Sequence, residues 1–384
     1  MSDKLIPYGK QYIDDADISS VSGVLKTDWI TQGPKVREFE ESLCKYTGAK
    51  YAVAVSNGTA ALHMAALAAE IQNGDEVITS PLTFAASANC VLYCGGNVVF
   101  CDIEPDTGNI AIDKIESLIT KKTKAIIPVH YSGHPVDLEK LEKIAKKYNL
   151  IVIEDAAHAL GAEYKGDKIG NCKYSDMTIL SFHPVKHITT GEGGAVLTNR
   201  KDLYDKLMAV RTHGITKENF RYYDSKYDGA WYYEMQYLGF NYRITDFQCA
   251  LGISQMNKLD SFVKRRREIA KIYKEKLADI KGITLPTEKG YAKSSYHLYP
   301  IRTESRIKRK KMFDFLRSKN IGVQVHYIPV YSHPYYRNLG YKEGLCPLAE
   351  EFYYREISMP MYPALTNEEL IYTVNSIKEA VNAI

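Results

Sequence analysis

Between residues 50 and 200 the chain alternates short apolar runs with amphipathic stretches. The runs at 51–56, 76–80, 98–102, 125–130, 151–155, 178–182 and 195–198 predict seven strands. Most are rich in Val and Ile, and several are apolar throughout rather than alternating, as in a sheet covered by helices on both faces. Helical periodicity fills gaps between them, for example at 59–70, 112–118 and 138–148. Such alternation predicts a mostly parallel, doubly wound sheet with its ligand site at the strand carboxyl ends. Asn57, Asp155 and Ser181 fall at those ends.

The pattern changes over residues 213–245, where Arg221-Tyr222-Tyr223, Trp231-Tyr232-Tyr233 and Tyr242-Arg243 crowd aromatic rings together. So many rings argue against a disordered linker and predict a packed lid or a subunit contact. One long helix is expected over 246–279. A smaller α/β domain follows, with strands at 297–302 and 322–326 and helices at 308–319 and 367–381. The predicted division is a large domain at 1–245, with an N-terminal arm and the aromatic segment, and a linking helix with the small domain at 246–384.

Composition narrows the partners. The net charge of +4 is spread along the chain, and the densest basic runs, 264–267 and 308–311, read as solvated helix faces. No nucleic-acid footprint results. The seven cysteines form no Cys-x-x-Cys pair, and Cys90 and Cys94 lack partners to complete a zinc site. They read as packing residues in a reducing compartment, with no metal expected. With no apolar signal core and no run of membrane-spanning length, the expectation is a cytoplasmic protein without a membrane partner.

The candidate chemistry centres on Ser181-Phe182-His183-Pro184-Val185-Lys186, which leaves a buried strand and precedes the small-residue tract 189–194. Glu154-Asp155 ends another apolar run. A lysine amine that condenses with an aldehyde, and a buried carboxylate that keeps a pyridine nitrogen protonated, are what pyridoxal 5'-phosphate (PLP) chemistry needs. Taken alone, Lys186 reads as a solvated loop lysine and Asp155 as a helix N-cap; the argument is their combination with the other parts of the site. Asn57-Gly58-Thr59 joins a strand to a helix, either as a phosphate cradle of backbone N–H groups or as an ordinary capped turn. Neither G-x-G-x-x-G nor a Walker lysine is present, which removes the usual support for dinucleotide and nucleoside triphosphate binding. Phe84 stacks on a flat ring or joins the core. His158, one helical turn beyond Asp155, touches a cofactor or is structural. Ser181 donates to a phosphate or caps its loop, and His183 reaches a substrate or only shapes a turn. Spacing assigns no role to Asn241.

Four segments, 57–62, 154–159, 181–186 and 239–246, stand in an order that resembles the DegT/DnrJ/EryC1/StrS family of PLP-dependent sugar aminotransferases. The resemblance runs from Trp29-Ile30-Thr31-Gln32-Gly33 to Val325-His326-Tyr327. It implies the aspartate-aminotransferase-like α/β fold (PLP fold type I), with a mostly parallel seven-stranded sheet and a smaller C-terminal α/β domain. It also implies that Lys186 bonds the cofactor and shuttles the proton, that Asp155 pairs with the pyridinium, and that Gly58, Thr59 and Ser181 hold the phosphate. Phe84 would stack on the ring, with His158 beside it. Asn241 would reach the phosphate of the neighbouring subunit, making a homodimer with shared active sites.

Segments 181–186, 296–301, 322–327 and 241–243 are similar to the UDP-sugar 4-aminotransferases of pseudaminic acid synthesis. That likeness implies a UDP-linked 4-keto-6-deoxy-L-sugar, L-glutamate as donor with 2-oxoglutarate as its product, and His183, His326 and Tyr327 at the substrate. His187 stands where relatives commonly have proline, and the 231–233 stretch is longer than the loop expected. An aminotransferase for a D-configured 4-keto or a 3-keto nucleotide sugar is the alternative. A sugar dehydratase of this family would carry histidine in place of Lys186, and a non-catalytic binding protein would have lost the lysine or the aspartate.

Overall fold

A computed structural model describes residues 5–383. Its central sheet has seven strands: β1 (Tyr51–Val55), β2 (Glu76–Thr79), β3 (Asn97–Phe100), β4 (Thr123–Ile127), β5 (Ile151–Asp155), β6 (Met177–Ser181) and β7 (Gly194–Thr198). Their spatial order is β1-β7-β6-β5-β4-β2-β3. All pairings are parallel except those of β7, which runs antiparallel to both β1 and β6. Each predicted strand is present, within a few residues of its expected ends.

The continuous apolar runs have a simple cause. Side chains alternate across a strand, so Val53, Val55, Ile153 and Ile179 enter one core while Ala52, Ala54, Val152 and Leu180 enter another on the opposite face. Both faces are dry, so neither set is polar. The same parity sends Asp155 to the face of Ile153, where the Gly58–Ala68 helix packs, and Glu154 to the other. There Glu154 is buried and accepts hydrogen bonds from Thr178 Oγ1 at 3.2 Å, from the Ser175 hydroxyl and from His130 Nε2 at 2.7 Å. Val136 N–H donates to His130 Nδ1, which fixes the ring proton on Nε2.

Two expectations for the rest of the chain need correction. The single helix over 246–279 is two helices, Asp246–Met256 and Leu259–Leu277. At the break Lys258 turns back to pair with Asp14 and Asp17, each at 2.7 Å. The first helix thereby packs on the N-terminal helices, with Gly252 under Phe39, while the second carries Ile269, Tyr273 and Leu277 into the small-domain core. Residues 322–326 are not a strand. Gly322 N–H donates to Ile6 O at 2.6 Å, so the N-terminal arm lies where a sheet neighbour would, and only Gln324 bridges to Ser358. The strand Tyr299–Thr303 pairs antiparallel with Ile283–Thr284 on one side and Glu356–Met359 on the other.

The aromatic tract forms a two-stranded hairpin, Ile215–Thr216 with Glu234–Met235. The Glu234 carboxylate gathers it, accepting from Arg221 N–H and Tyr222 N–H at 2.7 Å and from the Tyr232 hydroxyl at 2.9 Å. Phe220, Tyr223 and Tyr232 pack against one another at 5.0–5.4 Å, while Tyr222 is 83% and Trp231 73% exposed. No helix among the described residues is long and apolar enough to cross a membrane.

Candidate active site

At the carboxyl ends of the parallel strands lies a cavity of about 790 Å³. Gly58, Thr59, Phe84, Asp155, His158, Ser181, His183, Lys186, His326 and Tyr327 all line it, so the structure gathers every predicted site residue except Asn241. Asn241 is exposed, bridges Thr212, and lies outside the cavity of its own chain.

The cradle arises where β1 passes into the Gly58–Ala68 helix. Asn57 caps that helix, its Oδ1 accepting from Ala60 N–H at 2.8 Å, which leaves the first amides free at the positive end of the helix dipole. Gly58 lies so close to Ser181 that an added Cβ would stand 3.0 Å from Ser181 Cβ and 3.1 Å from its hydroxyl. A Cβ on Gly194, which pairs with Ser181 across the β6–β7 ladder, would meet the Asn57 carbonyl at 2.6 Å. Two glycines thus let a hydroxyl and a helix N-terminus converge, as an anion requires.

Asp155 ends β5 with its carboxylate held inside the protein. Ser87 Oγ donates to Oδ2 at 2.6 Å and Ala157 N–H to Oδ1 at 3.1 Å. Lys186 lies on the β6–β7 connection, where Phe182 N–H bonds Gly193 O at 2.8 Å and Thr190 N–H bonds Phe182 O at 3.0 Å. Buried Phe182, edge-on to Phe39, anchors the start of this loop. Burial brings the Lys186 amine down to about 8; Asp155 opposes that fall and Arg266 adds to it. About a tenth of the amine is therefore neutral at pH 7, far more than for an ordinary lysine.

Sequence reasoning gave no role to two neighbours, Ser87 and His297. His297 Nε2 lies 3.5 Å from Lys186 Nζ, and its ring is 4.2 Å, centroid to centroid, from that of His158. Tyr327 OH lies 3.1 Å from His158 Nε2, and Phe84, largely exposed, stands at the rim 6.4 Å from the Tyr327 ring. Burial pulls His158, His187 and His297 well below the usual imidazole range and His326 to about 3. These rings are therefore neutral. His187, in place of a proline, points away from the cavity and contacts Ser295 O at 3.2 Å. Ser87 and His297 left weak signals: Ser87 opens a helix beside Phe84, and His297 sits in a segment singled out only for its likeness.

The residues present fit PLP: an anion cradle, a buried carboxylate and a lysine amine brought down to about 8 surround one cavity. Gly58, Thr59 and Ser181 would hold its phosphate, Asp155 its ring nitrogen and Lys186 its aldehyde carbon. When bound, it supplies an electron sink that lets a C–H bond beside the reacting nitrogen ionise. Lys186 is placed to hold and move that proton, with neutral His297 as its neighbour, and Phe84 and Tyr327 narrow the mouth against water.

Strand order β1-β7-β6-β5-β4-β2-β3 with one reversed strand, together with this site, defines the class: PLP enzymes of fold type I. The chain belongs to the DegT/DnrJ/EryC1/StrS aminotransferase family, whose pattern matches residues 11–378. It is 42% identical, over 98% of both chains, to the UDP-4-amino-4,6-dideoxy-N-acetyl-beta-L-altrosamine transaminase of Campylobacter jejuni. Among solved structures it superimposes on Helicobacter pylori PseC, an aminotransferase involved in the biosynthesis of pseudoaminic acid, with a TM-score of 0.91, 34% identity and coverage of 99% and 100%. The putative sugar aminotransferase Spr1654 of Streptococcus pneumoniae, solved in a PLP form, gives a TM-score of 0.91 at 31% identity, covering 99% of each chain. The chain is therefore a PLP-dependent aminotransferase acting on a nucleotide-linked keto sugar, the reaction shared by family members of differing specificity.

Proposed function

We propose that the sugar is a UDP-linked 4-keto-6-deoxy-N-acetyl-L-hexosamine, aminated at C4 with L-glutamate as donor to give UDP-4-amino-4,6-dideoxy-N-acetyl-β-L-altrosamine. The whole-length likeness to the Campylobacter transaminase carries this reading. In it Lys186 holds the cofactor and moves the proton, Asp155 keeps the ring nitrogen protonated, and His183, His326 and Tyr327 line the sugar's side of the cavity. The test is a half-reaction: enzyme loaded with pyridoxamine phosphate is mixed with the 4-keto L-sugar or its D-epimer while the aldehyde-form absorbance is followed. Faster recovery with the L-sugar supports the reading; preference for the D-sugar overturns it.

In the same proposal the enzyme is a homodimer whose Asn241 serves the partner's cradle. The position of Asn241 outside its own cavity, beside an exposed aromatic hairpin, supports this. Mixing and refolding Lys186→Ala with Asn241→Ala subunits would then restore roughly a quarter of wild-type activity, since half the dimers are mixed and each has one intact site. No recovery would exclude the shared site.

A further inference from the structure

One buried acid next to the cavity has no part in the chemistry above. Glu356 begins the strand Glu356–Met359, is fully buried, and has no ion-pair partner among the described residues. Its Oε2 accepts from His326 N–H at 2.7 Å, and its Oε1 lies 2.5 Å from the Ser358 hydroxyl. Ser358 Oγ is in turn 2.8 Å from His326 Nδ1. The His326 ring lines the cavity, and its Nε2 has no protein partner among the described residues. A carboxyl group is thus wired through one hydroxyl to an imidazole on the wall of the active site.

A serine hydroxyl has one proton, so this chain has two settings. With Glu356 ionised, Ser358 donates to it, His326 Nδ1–H donates to Ser358, and Nε2 offers the cavity a lone pair. With Glu356 protonated, its O–H donates to Ser358, Ser358 donates to Nδ1, and Nε2–H offers a donor. We propose that Glu356 is a positioning residue that, through Ser358, sets the tautomer of His326 and so decides whether this wall presents a hydrogen-bond donor or acceptor. Built on the transaminase reading, this gives one histidine two kinds of partner: a carboxylate of the amino donor for Nε2–H, and a sugar hydroxyl for the lone pair.

The surroundings permit the switch at working pH. Burial raises Glu356 to about 8, against the bonds from Ser358 and His326 and the charge of Arg309 on the helix Arg306–Ser318. Tyr131, whose hydroxyl donates to His326 O at 2.6 Å, and Tyr327 face the same carboxyl. Lys186 and the Tyr8 ring face His326 itself. Because His326 is held neutral, only its tautomer changes there, and the charge that comes and goes is on Glu356.

The direct test is the ¹⁵N spectrum of histidine-labelled PLP enzyme, with His326 assigned by its loss in His326→Asn. Wild-type Nε2 should pass from protonated to lone-pair character as pH rises from 6.5 to 9.5. Glu356→Gln, whose amide donates to Ser358 as the protonated acid does, should stay protonated at Nε2 throughout, and Ser358→Ala should show no pH dependence. In parallel, the KM for L-glutamate should rise about tenfold from pH 7 to 9 in wild type, the cost of one hydrogen bond to a charged group, and stay level in Glu356→Gln. A fixed tautomer in wild type, or a Glu356→Gln enzyme that titrates like it, overturns the proposal. Failure of L-glutamate to convert the cofactor at all would instead overturn the donor assignment and leave the tautomer readout standing.

Discussion

The Ser87 hydroxyl and the Asp155 carboxylate meet at 2.6 Å inside the protein, and Thr83 Oγ1 lies 2.7 Å behind Ser87. A buried carboxylate keeps its charge only where donors surround it. Ser87→Ala removes one such donor without touching the cofactor contacts themselves. Hydrogen bonds to charged groups contribute about 1.5–3 kcal/mol, so the variant should bind PLP at least about tenfold more weakly, measured by equilibrium titration of apo protein. Unchanged affinity would mean that Ala157 N–H alone suffices to hold Asp155.

Lys186 should react as an amine with its pKa near 8. In apo protein the rate of acylation at Lys186, followed by peptide mass spectrometry, should climb about tenfold per pH unit below that value and level off above it. The sign for stability is the reverse of a salt bridge. Folding costs most where the unfolded amine is charged and the buried one resists charging, so the penalty is full below pH 8 and disappears as pH rises past the ordinary lysine value. Lys186→Met should therefore stabilise the apo protein at pH 7, by about 1–3 kcal/mol after allowance for the side chain's partial access to the cavity. Denaturant unfolding of both apo proteins at pH 7 and pH 10.5 checks it.

Gly194→Ala tests the close approach beneath the cradle. Its methyl group must displace the Asn57–Gly58 backbone, because 2.6 Å from a carbonyl leaves no room. The expected loss is about 1–3 kcal/mol of stability together with weaker phosphate binding. Gly74→Ala, where a Cβ meets nothing but the backbone carries a φ of +93°, should cost stability alone.

Glu234→Gln should loosen the aromatic hairpin. Burial pushes the Glu234 carboxyl up, but the amides of Arg221 and Tyr222 with the side chains of Gln236 and Tyr232 outweigh it and bring the group to about 2. A depressed carboxyl stabilises the hairpin above the ordinary carboxylate value, and that stabilisation is lost as pH falls toward 2. At neutral pH, limited proteolysis should cut the variant within 217–233 faster than wild type while the rest of the chain resists.

The sheet was legible in the sequence because both of its faces are dry, so its strands are mostly apolar and stand out from their surroundings. The site was legible for a related reason: Gly58, Asp155, Ser181 and Lys186 all sit within a few residues of a strand end. The small domain was harder. Glu356-Ile357-Ser358-Met359 alternates polar with apolar side chains in a strand of four residues, too short to announce itself, and the Gly322–His326 segment looks like a strand until the N-terminal arm is seen beside it. Ser87 and His297 act through distance in space, which no local pattern records. The break at Asn257–Lys258 is set by Asp14 and Asp17, more than two hundred positions earlier.

The reversal of β7 has a consequence for how this enzyme can change. Because β7 returns directly beside β6, Ser181, Lys186 and Gly194 belong to one short closed stretch of chain, tied at both ends to neighbouring rows of the same sheet. Of the walls proposed to face the sugar, His326 and Tyr327 come from a segment far along the chain, while His183 lies within the stretch itself. Substitutions in those walls can redraw what is admitted while the amine stays where it is. The amine and the wall at 326–327 are thus inherited on separate lengths of polypeptide, free to drift at different speeds.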